Sequence, residues 1–120
     1  MCLAAALPAQ GAEPRVDPAV VATFVAGEVD VDGARYPYRL LHPPAEQRAV
    51  EAPLVVFLHG AAERGSDNEA QLRHLPERLA RPDWRSRWPC HVLALQCPVG
   101  EQWVDAPVGD ARGRPMAAQP

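Results

Sequence analysis

The apolar run Leu54-Val-Val-Phe-Leu58 ends abruptly in His59-Gly60-Ala61-Ala62-Glu63-Arg64-Gly65. Residues of these types, in this order, suit the stabilisation of an anion by backbone amides. Small side chains at Gly60, Ala61 and Ala62 let another molecule approach the main chain closely, which leaves their N–H groups available to developing negative charge. His59 at the head of the loop is either a base or a ring bonded to backbone that fixes the loop. Glu63 and Arg64 either grip a substrate or form a local ion pair that pins the loop. A nucleophile is harder to place. The serines are Ser66 and Ser86, and neither has glycines two residues before and after it. Cys90 and Cys97 flank His91-Val-Leu-Ala-Leu95, which reads as a strand. A rise of about 3.3 Å per residue would hold the two roughly 20 Å apart, beyond disulfide reach, so they read as separate thiols. No C-x-x-C or H-x-x-x-H spacing occurs, so a Cys/His metal site is not expected.

The elements that must position this loop are legible around it. Leu54–Leu58 reads as a strand buried on both faces, of the kind found inside a parallel sheet. Open α/β sheets place their ligand chemistry at the carboxyl ends of such strands. Upstream, Val20 to Val31 and Ala34 to Leu41 are strand-like runs around Asp32-Gly33, a strong hairpin signal. Pro37 lacks an amide donor and points to an edge strand. Residues 42–53, with Pro43-Pro44, read as a surface loop. Downstream, Ser66 followed by Glu69 fits a capping box, with Asp67 and Asn68 as further capping residues. The helix continues through Leu72 and Leu75 to Leu79, kinked or restarted at Pro76. Residues 81–89 read as an irregular connection anchored by Trp84 and Trp88, ahead of the strand His91–Leu95. In the loop beyond that strand, Trp103 and Asp105 lie on the same rim as Ala61, where they border a cleft or pack the loop. A hairpin followed by strand, helix and strand gives the fold class α/β, as an incomplete opening portion of a sheet.

The 120 residues allow one domain with a modest core, and 48% hydrophobic with 22% charged residues is ordinary for a globular protein. A net charge of -3 offers no basic surplus for nucleic acid. The segment 1–12 has a short apolar stretch and small residues suited to cleavage, and reads as a clipped signal peptide or an Ala-rich terminus; the first reading places the protein outside the cytoplasm, secreted or periplasmic. No stretch approaches the roughly 18 apolar residues of a membrane span. The domain is expected over residues 19–108, with an irregular tail over 109–120.

Several ordered motifs carry a resemblance: Tyr38-Arg-Leu-Leu-His-Pro43, Leu54 through Gly65, Asp67-Asn68, Gln71-Leu72, Cys90 through Pro98, and Trp103-Val-Asp105. Together they resemble the amino-terminal part of the α/β-hydrolase superfamily, closest to a secreted branch described as phospholipase/carboxylesterase or polyhydroxybutyrate-depolymerase-like. The family loop usually reads His-Gly-Ala-Gly-Glu-Arg-Gly, and this chain has Ala62 at the second Gly, which keeps the donor but narrows the space. The resemblance implies ester or peptide hydrolysis through a Ser-His-Asp triad, without metal or organic cofactor, and with Ala61, then Ala62, as oxyanion-hole donors. His59, Gly60, Glu63 and Arg64 would then shape the loop, and Trp103 and Asp105 would border the cleft. The chain order nucleophile, acid, base puts all three downstream, so His59 is expected to be structural and the 120 residues to be an inactive fragment. A small non-catalytic binding or interaction module is the alternative.

Overall fold

The structure, a computed structural model, describes residues 15–48 and 51–104. The leader reading of residues 1–12, the tail reading of 109–120 and the rim residue Asp105 lie outside the described residues.

The hairpin forms from β1 (Val25–Val31) and β2 (Ala34–Leu41). Asp32 and Gly33 both adopt positive φ, 52° and 83°, which matches the twist that a two-residue hairpin turn requires. The Gly33 N–H also donates to the Asp30 carboxylate. Before the hairpin, Pro18–Val21 forms a short helix, α1, capped by the Asp17 carboxylate on the Ala19 N–H. This replaces the first residues of the expected strand, because Asp17 at the cap and Pro18 at the first helical position together favour a helical turn.

The sheet is mixed, in the order β1-β2-β4-β3, with β3 at Leu54–Phe57 and β4 at His91–Leu95. β2 lies antiparallel to both β1 and β4, and β3 runs parallel to β4. β2 is therefore an interior strand rather than the edge that Pro37 suggested. Its ladder with β4 covers only Tyr38 to Leu41, and the Pro37 carbonyl accepts from the Gln96 N–H just past the end of β4. N–H and C=O of one strand residue point to the same side, so Pro37 cannot return a bond to Gln96, and the ladder stops there.

One face of the sheet carries the core. Leu41, Val92 and Ala94 pack there with Phe24, Val16, Leu72, Leu79 and Ala80, flanked by the half-buried Val55 and Phe57. Burying side chains of the size of Leu41 or Leu72 contributes about 1.5–3 kcal/mol each. The cover comes from α2 (Leu75–Ala80) and α3 (Pro82–Arg87). The single helix expected from Ser66 is instead a 3-10 turn at Ala70–Leu72 followed by α2, with the chain broken at His74, φ 71°. Pro76 sets this break: it has no N–H for an upstream carbonyl, but it is well suited to the first turn of a new helix. The connection at residues 81–89 is likewise helical over α3, where Pro82 opens the helix, Asp83 lies in its first turn, and Arg85 and Arg87 lie in its last, each placed favourably for the helix dipole.

Among the described residues the opposite face is uncovered: Leu54, Val56 and Leu58 are 56%, 51% and 53% exposed, and β3 pairs with β4 alone. The strand expected to be buried on both faces is thus a half-buried edge strand, because the described helices cover one face only.

Candidate active site

The loop leaving β3 begins at His59, which is 4% exposed. Its Nε2 accepts from the Cys97 N–H at 2.9 Å, so Nδ1 carries the proton and donates to the Gly60 carbonyl at 2.6 Å. Both ring nitrogens are committed to backbone, which leaves no lone pair for proton abstraction. The Trp103 indole N–H donates to the His59 carbonyl at 2.8 Å, and its ring meets the imidazole edge-on at 5.1 Å. Trp103 thus locks the base of the loop.

Ala61–Glu63 forms a 3-10 turn. The first N–H groups of such a turn have no partner within it. Among the described residues, the Ala61 and Ala62 N–H groups make no hydrogen bond, and both residues are exposed. A Cβ on Gly60 would come within 3.2 Å of the Glu63 carboxylate, so the glycine gives that buried side chain room. Glu63 pairs with His74 at 3.3 Å, and among the described residues it forms no ion pair with Arg64, one of the two roles the sequence offered the pair.

The carboxyl half of the loop is tied to the strand ends beside it. The Gly65 N–H donates to the Cys97 carbonyl at 3.0 Å. Asn68, at φ 55°, donates from its side chain to the Tyr38 carbonyl, accepts from Gln71, and receives Arg39 on its own carbonyl. Asn tolerates this left-handed conformation better than most residues. Capping is done by Asp67, whose Oδ1 accepts from the N–H groups of Glu69 and Ala70; Ser66 makes no capping bond. Burial pushes the Asp67 carboxyl up, but the bonds from Gln96, Glu69 and Ala70, with Arg73 nearby, outweigh it and hold the group below its ordinary value. A lowered carboxyl pKa stabilises the fold above the ordinary carboxylate range near pH 4, and that contribution is lost as pH falls through the lowered value. In a full-length homologue carrying this loop, the expected result is a stability gap between wild type and Asp67→Asn that is largest near neutrality and closes on acidification, read from urea midpoints at pH 7 and about pH 3.

Among the described residues the two thiols, Cys90 and Cys97, are free and buried, and burial raises the pKa of each. His42 and His91 meet across β2 and β4 with Nδ1 atoms 3.0 Å apart, at the end of β4 away from the loop. Burial, then His91, Arg48 and Arg85, lowers the His42 pKa. Among the described residues, no group of three or more His, Cys, Asp or Glu could hold a metal ion, and no helix is long and apolar enough to cross a membrane. Sequence reasoning missed Gln96, a fully buried side chain bonded to three points of the loop. Its signal was an uncharged polar residue directly after an apolar strand.

No protein-family model matches the sequence, and no curated protein does. The crystal structure of a thermostable esterase superposes with a TM-score of 0.65 at 38% sequence identity. The chain is an α/β-hydrolase relative. The match covers 71% of this chain and 24% of the esterase chain, so the α/β-hydrolase sheet is present here in part, as hairpin, β3, helices and β4.

Proposed function

We propose that this chain carries the oxyanion-stabilising part of a serine hydrolase of the ester- or peptide-cleaving kind. A small-molecule ester or peptide is the substrate of the complete enzyme, and nucleophile, acid and base come from outside these 120 residues. The observation that supports it most is the pair of unpaired, exposed amides at Ala61 and Ala62, on a loop at the carboxyl end of β3 whose two ends are tied to backbone. Preorganised donors of this kind lower the barrier where an acyl carbonyl becomes an oxyanion, by about 2.7–4 kcal/mol per donor. The esterase likeness supports the reaction class, and the leader-like residues 1–12 favour work outside the cytoplasm. The phospholipase/carboxylesterase or depolymerase-like branch remains the substrate expectation.

The reading predicts that the purified 120-residue chain neither turns over a short-chain chromogenic ester nor reacts with a fluorophosphonate probe. Ser66 and Ser86 are exposed, and among the described residues neither hydroxyl is bonded to an imidazole that could activate it. Stoichiometric labelling of either serine, located by peptide mass spectrometry, would refute the division of labour proposed.

A further inference from the structure

We infer that Gln96 is the positioning residue of the oxyanion loop. The inference rests on the proposed function only for what the loop is for; that Gln96 holds the loop stands on geometry. A primary amide has two N–H donors and one carbonyl acceptor. Here Nε2 donates to the Glu63 carbonyl at 3.2 Å and to Asp67 Oδ1 at 2.7 Å, while Oε1 accepts from the Asn68 N–H at 2.7 Å. Every polar group of the side chain is therefore used on the loop. Its own N–H donates to the Pro37 carbonyl, so the clamp is anchored in the sheet. Gly65 passes close by: a Cβ there would lie 3.3 Å from Nε2.

The turn that presents Ala61 and Ala62 does not hold itself. Its two closing bonds, Glu63 N–H to Gly60 and Arg64 N–H to Ala61, are long at 3.4 and 3.5 Å, against about 2.9–3.0 Å for a well-formed bond. His59 and Trp103 fix the amino end of the turn. The carboxyl end is held where Gln96 takes the Glu63 carbonyl and, two residues on, where the Gly65 N–H reaches the Cys97 carbonyl; Gln96 is the side chain that grips the turn itself. Other residues cannot replace it. A Glu has no donor and sets a second carboxylate against Asp67, an apolar side chain leaves the Glu63 carbonyl and the Asn68 N–H without their partner, and an Asn is one methylene short.

Two measurements test this. In a full-length homologue with the same loop and Gln, Gln96→Ala is expected to raise amide hydrogen exchange at the positions of Gly65 and Asn68 by about tenfold or more, with those of Val92 and Ala94 unchanged. In the same protein the change is expected to lower kcat by roughly tenfold to a hundredfold with KM held within about threefold. Gln96→Glu is expected to be at least as damaging. Gln96→Met, which keeps the length and bulk of the side chain without its amide, is expected to behave like Gln96→Ala, whereas loss of packing alone would spare it. Unchanged exchange in the loop, or normal exchange in Gln96→Met, overturns the role of Gln96. Raised exchange with unchanged kcat overturns the oxyanion reading instead and leaves Gln96 as the clamp of the loop.

Discussion

Replacing Ala61 by Pro in a full-length homologue that carries this loop lowers kcat by roughly a hundredfold or more, with little change in KM and no loss of fold. The fold should survive for local reasons. The Ala61 N–H makes no hydrogen bond among the described residues, so its removal costs the turn nothing. A residue in a 3-10 turn has φ of about −50 to −70°, which suits proline. Gly60, the residue before it, is already extended at ψ -176°, as a residue preceding proline prefers. Only the donor disappears. An interaction made with an oxyanion, and not with the ground-state carbonyl, is lost from kcat rather than from KM. Steady-state kinetics on Ala61→Pro beside Ala61→Gly, which keeps the amide, check this. Equal activity of the two variants with an intact fold would assign the donor elsewhere.

The second large effect concerns the sheet. On its own, the 120-residue chain is expected to self-associate and to unfold without a sharp cooperative transition. β3 is a flat apolar edge with no charge, proline or bulge inside Leu54–Phe57, and such an edge is a template for pairing with another chain. Beside it, Leu54, Val56 and Leu58 are half exposed on the open face, so the strand offers both unpaired backbone and apolar surface. Val56→Lys places a charge on that face and is expected to shift the chain towards monomer on size-exclusion chromatography. A wild-type chain that elutes as a monodisperse monomer and melts sharply would show that these elements suffice as a small module.

Much of the architecture was legible in the residues because local chemistry dictated it. Asp32-Gly33 between strand-like runs specified the hairpin, and the apolar runs at Leu54 and His91 specified the parallel pair. What misled were signals whose meaning depends on partners far along the chain. Pro37 looked like an edge residue, yet β2 is interior, because the β4 ladder ends one residue short of it. Ser66 and Glu69 matched a capping pattern, but Asp67 reaches the same amides and is itself held by Gln96, a partner 29 residues away. The helix expected through Pro76 divides because one missing N–H outweighs continuous apolar spacing. At the site, the small residues of Gly60, Ala61 and Ala62 spoke directly of exposed backbone. Gln96 did not, since nothing in a lone glutamine foretells which three loop groups it will meet.

The most direct measurement is the crystal structure of a full-length homologue carrying this loop, inhibited at its serine by a phosphonate ester whose phosphoryl oxygen mimics the oxyanion. The account predicts that oxygen about 2.7–3.1 Å from the amide nitrogen of Ala61, with the Ala62 amide beside it, and the loop held to Gln96 as described above. A phosphoryl oxygen bound by other donors, with the Ala61 and Ala62 amides left facing solvent, would contradict it.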